Sequence, residues 1–157
     1  MCNCGQGFEL EENNQKTIFF KKLDSNAKLP EFKTDGAACA DVYSIEKLAI
    51  PPNSTVVVKT GLAMQIPSGH CVIIRGRSGL SVNHNYHVKT GILDEDYRGE
   101  MGIIISNNSS NEELRIDKGD RIAQIMLVPV VQFESKEVSE LNETNRGIGG
   151  FGSTGSK

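Results

Sequence analysis

Tryptophan is absent from the chain, aromatic residues make up only 6% of it, and cysteine occurs four times. No apolar run approaches the roughly 20 residues that span a bilayer, and the start "MCNCGQGFELEENNQK" is polar and acidic where a signal peptide is basic and then apolar. The chain therefore reads as soluble and intracellular, in the cytoplasm, or in the nucleus for a eukaryotic or viral source, with no membrane partner. A basic excess is missing too. The net charge of -3 excludes a general polyanion binder and direct nucleic-acid binding through a broad basic face, so any anion site must be local. Cys2 and Cys4 lie in a polar tail, while Cys39 and Cys71 lie in strand-like segments, which is not the dense spacing of a disulfide scaffold. A zinc site joining Cys2 and Cys4 to His84 or His87 is disfavoured, because paired zinc cysteines usually have two or more residues between them.

The 157 residues that are present suit one domain. Short segments rich in β-branched residues recur: "KTIFFKKL", "CADVYS", "STVVVKT", "LAMQI", "CVIIR", "MGIIISN", "LRI" and "RIAQIMLV". Turn clusters such as "PPNS", "PSGH" and "DKGD" separate them, and only the region after "GRS" has room for a short helix. This predicts an all-β sandwich, barrel or jelly roll, and physics alone does not separate the three. Residues 1–16 read as a flexible extension, 17–143 as the domain, and 144–157 as a mobile glycine-rich arm.

Five segments can carry chemistry. "RGIGGFGSTG" spaces Gly150 and Gly155 like a phosphate loop, but Ser156 and Lys157 stand in the wrong order for one; its amides can still wrap an anion as a nest, beside Arg146 and Phe151. "IIRGRSGLS" puts Arg75 and Arg77 near Ser78 and Gly79, a set suited to phosphate oxygens or to balancing surface carboxylates. "KGDRIAQIM" holds Gln124 among core residues, where it needs a partner if buried. In "ACADVYS", Asp41 is a carboxylate in apolar company and must be paired, solvated or coordinated. "GILDEDYRGE" ends an apolar run in Asp94, Glu95 and Asp96. Strand alternation turns Glu95 away from the other two and puts Asp94 at a pocket floor, while a surface turn is the bland alternative.

In order and spacing, "ACADVYS", "GRSGLS", "GILDEDYRGEMG", "GDRIAQI" and "RGIGGFGSTG" closely resemble the five motifs of the trimeric dUTPase family, over about residues 30 to 155. The resemblance implies a jelly-roll subunit of a homotrimer whose active sites are shared between chains. It also implies hydrolysis of dUTP to dUMP and pyrophosphate with Mg2+. On it, Asp94 matches the general base that positions the attacking water, and Tyr97 the ring that packs on deoxyribose. Val88, Lys89, Thr90, Gly91 and Leu93 match the hairpin that reads uracil through main-chain groups. Arg77, Ser78, Gly79 and Gln124 match the phosphate donors, and Asp41 the aspartate linked to Mg2+ through water, with the metal held mainly by the triphosphate. Arg146 matches the arginine on the γ-phosphate, Phe151 the ring over uracil, and Gly152, Ser153 and Thr154 the closing lid. His84 and His87 match no family ligand, and Arg98 reads as structural.

Two rivals remain at this level. A dCTP deaminase of the same fold would share the arginine-serine rim but needs a glutamate at C4 of cytosine, and the complete third and fifth motifs favour hydrolysis. A nucleotide-controlled binding protein would use the tail to present a surface to a regulatory protein partner.

Overall fold

A computed structural model describes residues 16–83 and 86–150. The extension up to residue 15, with Cys2 and Cys4, the loop residue His84, and the lid residues Phe151, Gly152, Ser153 and Thr154 lie outside the described residues.

Each of the eight segments singled out by β-branched composition forms a strand. They are β1 (Phe19–Lys22), β2 (Ala40–Tyr43), β4 (Ser54–Lys59), β5 (Leu62–Gln65), β6 (His70–Arg75), β9 (Gly102–Asn107), β10 (Leu114–Ile116) and β11 (Arg121–Pro129). Short additional strands are β3 (Leu48–Ile50), β7 (Tyr86–Val88) and β8 (Gly91–Leu93). The region after "GRS" forms the short helix α1 (Ser78–Asn83). One sheet runs β2-β11-β6-β8, a second β4-β9-β7, and two pairs, β1-β5 and β10-β3, complete the jelly roll.

Alternation decides what goes inside. On β9, Ile103 and Ile105 are buried while Ile104 faces out, and on β4 Val58 is buried while Val57 faces out. These meet Val42, Val72, Ile74, Ile122 and Ile125 of the other sheet in one aliphatic core. Burial of that apolar area is the main stabilising term, at roughly 25 cal/mol per Å². Tyr86 adds a ring to the core and donates its hydroxyl to the Ile122 carbonyl at 2.8 Å.

The strand-turn-strand from Val88 to Leu93 is present, but it is not a hydrogen-bonded hairpin. β7 pairs with β9, and β8 pairs with β6. The chain crosses from one sheet to the other between them, with Lys89 N–H donating to the Ile104 carbonyl at 2.9 Å. The packed body ends with β11. From Val130 to Ile148 every side chain is exposed in the single chain.

Candidate active site

The candidate residues of the first, second and fourth motifs come together through sheet register. Gln124 of β11 lies opposite Asp41 of β2 on one side and Arg75 of β6 on the other. Asp41 is only 7% exposed. Its carboxylate is paired twice: Oδ1 with Arg77 Nε at 3.1 Å, and Oδ2 with Arg121 Nη1 at 3.0 Å. Arg77 Nη1 also donates to the Arg121 carbonyl at 3.2 Å. Each guanidinium is thereby held in place while other N–H groups stay available to an anion. Gln124 finds the partner its burial calls for, donating from Nε2 to the Gly76 carbonyl at 2.8 Å. Ser78 and Gly79 open α1 and face solvent. Arg77 and Arg121 edge a cleft of about 560 Å³ whose wall includes Tyr86 and Asn107.

Arg121 was not singled out from the sequence. Its place in "GDRIAQI" was visible, but nothing local says that β11 lies beside β2.

The second group lies elsewhere. Leu93 of β8 is opposite Val72 of β6, so Asp94 stands at the His70 end of that strand while Arg77 follows its Arg75 end. At about 3.3 Å per residue the two are separated by roughly 15–20 Å along the sheet, too far to act on one phosphorus. Asp94 is exposed, not at a pocket floor, because the β6-β8 ladder stops at Leu93 and the chain then leaves the sheet. It borders an open cleft of about 760 Å³ with Ser68, Gly69, His70 and Cys71.

The turn that carries Asp94 is braced throughout. Tyr97 N–H donates to the Asp94 carbonyl at 3.1 Å, and Arg98 Nη1 donates to the carbonyls of Glu95 and Tyr97 at 2.6 and 2.9 Å. Arg98 is thus a backbone clamp. Tyr97, 42% exposed, donates its hydroxyl to the Glu100 carbonyl at 3.0 Å, and its ring lies so close over Gly99 that a Cβ there would sit 2.3 Å from the hydroxyl oxygen. Only glycine fits. Glu95 Oε2 accepts from Gly69 N–H at 2.7 Å, and Glu100 Oε1 accepts from Gly61 N–H at 2.8 Å. Lys89 and Thr90 are exposed, Val88 is buried, and Gly91 and Leu93 are half-buried. Arg146 lies in the exposed stretch, its Nε donating to the Gly149 carbonyl at 2.8 Å.

The dUTPase family model matches residues 25–155. The chain belongs to the dUTPase family. A deoxyuridine 5'-triphosphate nucleotidohydrolase from Nautilia profundicola is 47% identical over 137 residues, spanning 86% of this chain and 96% of that protein. The dUTPase of Staphylococcus bacteriophage 80alpha with dUPNHPP superposes with a TM-score of 0.83 at 33% identity, covering 90% of this chain and 99% of that one. A mutant dUTPase of phage phi11 of S. aureus, described with a coordinated structural Mg(II) ion, gives 0.75 at 29% identity, covering 80% and 98%.

Proposed function

We propose that this chain hydrolyses dUTP to dUMP and pyrophosphate, keeping uracil out of DNA and supplying dUMP for thymidylate synthesis. The observation that carries the reading is the division of the site. A paired arginine cluster and an exposed carboxylate turn lie at opposite ends of β6, each incomplete alone, in a chain of the dUTPase family.

In this reading Asp94 orients and deprotonates a water whose oxygen attacks the α-phosphorus. The α-β bridging oxygen leaves with pyrophosphate. Arg77, Ser78, Gly79 and Gln124 donate to phosphate oxygens as charge develops on them, and Arg121 joins them through its shared hold on Asp41. Val88, Lys89, Thr90, Gly91 and Leu93 form a uracil slot from main-chain groups, and Tyr97 packs on the deoxyribose. Arg146 holds the γ-phosphate, and Phe151 with Gly152, Ser153 and Thr154 closes the site against water.

The distance supports a shared site: Asp94 of one copy works with Arg77 of another, in a homotrimer. The outward apolar side chains Val57 and Ile104, paired across β4 and β9, and Val131, Phe133 and Leu141 after β11, support burial between copies. The stretch 144–157 is the arm that reaches a neighbouring site.

Magnesium fits as a passenger on the triphosphate. Among the described residues no cluster of three or more His, Cys, Asp or Glu side chains can cage a metal, and both carboxylate oxygens of Asp41 already pair with arginines. That leaves Asp41 to meet a hydrated ion through water. When bound, Mg2+ supplies charge neutralisation on the phosphates.

The test is pyrophosphate release from dUTP, dCTP, dTTP and UTP in parallel, with and without Mg2+. Release from dUTP alone, dependent on Mg2+, is expected. Deaminated product from dCTP, or no release from any of the four, would overturn the reading.

A further inference from the structure

We infer that Glu95 is a positioning residue for Asp94, acting through the backbone of Gly69. The inference rests on the reading of Asp94 as the base.

The β6-β8 ladder ends at the Val72–Leu93 pair, so no strand bond reaches Asp94. Within the turn, the Tyr97 N–H bond to Asp94 and the two Arg98 bonds fix internal shape. At its far end the turn is tied to the body by Glu100 on Gly61 and by Met101 N–H on the Leu62 carbonyl at 2.7 Å. Its near end, beside Asp94, is tied by the Glu95 carboxylate on Gly69 N–H. An ionised acceptor at 2.7 Å makes this a charge-assisted bond, stronger than a neutral one.

Gly69 can present that N–H because it sits at φ +72°, a left-handed conformation that L side chains adopt only under strain. Its carbonyl accepts from Val130 N–H at 2.8 Å, so one residue holds both the Asp94 turn and the root of the exposed stretch. Glu95 is a turn residue that lines the same cleft as Asp94 and Asp96, with its Oε2 committed to the Gly69 N–H. The carboxylate that orients the water is itself exposed, so its aim depends on this tie.

Glu95→Ala, Glu95→Asp and Glu95→Gln in the full chain, beside Asp94→Asn, test the role by steady-state dUTP hydrolysis and by amide exchange at Gly69. A base misplaced by about 1 Å loses rate rather than affinity, so Ala and Asp are expected to lower kcat about tenfold or more with KM within about threefold. Both should speed exchange at Gly69. Gln keeps an acceptor oxygen at the same reach and is expected to restore kcat to within about threefold of wild type, with slow exchange. Ala and Asp variants that keep wild-type kcat, or a Gln variant as slow as they are, would overturn the inference. If Ala fails to fold, the contrast between Asp and Gln decides. Wild-type turnover by Asp94→Asn would remove the base reading itself, and the positioning role with it.

Discussion

At the Arg75 end of β6 the charged side chains are already paired within one chain, whereas at the His70 end Asp94 stands in solvent on a turn braced by side chains that bind backbone groups. The first region is partly buried, and its ion pairs hold their geometry before any ligand arrives. The second is open to solvent in the single chain. The difference teaches that a charge cluster fixed in advance and an exposed carboxylate are placed at opposite ends of one strand, which is the arrangement that the proposed sharing of sites between chains would use. It also means that substitutions in the two regions should fail differently.

The largest effect expected is Asp94→Asn, which should lower kcat about a hundredfold or more while stability stays within about 0.5 kcal/mol, as for other exposed sites. A turnover drop of less than tenfold would remove Asp94 as the base. Truncation before Arg146 should come close behind, giving a folded trimer with little activity, since the packed body ends at β11; full activity would break the lid argument.

Arg77→Ala should fail in both ways. Asp41 loses one of two partners in a mostly buried position, which is expected to cost about 1–3 kcal/mol in urea unfolding, and dUTP binding should weaken at the same time. Unchanged stability would show that Arg121 alone satisfies Asp41. The comparison sharpens further when inactive Asp94→Asn and Arg77→Ala chains are unfolded, mixed and refolded. Shared sites predict recovery of about a quarter of wild-type activity by random reassortment in a symmetric oligomer, and sites confined to one chain predict none.

The smallest effect concerns the core. Burial raises the Tyr86 pKa well above the tyrosine range, with the Asp120 charge adding to it, so the folded state favours the neutral phenol. Its stabilisation is fully present below the unfolded pKa of about 10 and is lost as pH rises above that value. Tyr86→Phe should cost about 1 kcal/mol at neutral pH and flatten the alkaline loss of stability, as read by melting temperature against pH.

Eight of the strands were legible because β-branched residues and turn clusters are local signals. β3 was not among them, and the strands flanking Lys89 and Thr90 were read as a hairpin because sequence neighbours usually pair. Their actual partners, β9 and β6, are set by which face each strand buries. Motif spacing pointed to Asp94, Arg77 and Gln124. Arg121 and Glu95 were not legible as site residues, since their partners Asp41 and Gly69 are 80 and 26 positions away.

Composition, alternation and five short motifs were enough to determine an all-β domain and its family, because each of these is written in neighbouring residues. Only the tertiary structure decided that Asp41 is clamped between two arginines, that the Asp94 turn hangs from Gly69, and that the two halves lie too far apart to meet within one chain. Those outcomes depend on which strands lie side by side, a choice fixed by burying the whole core at once.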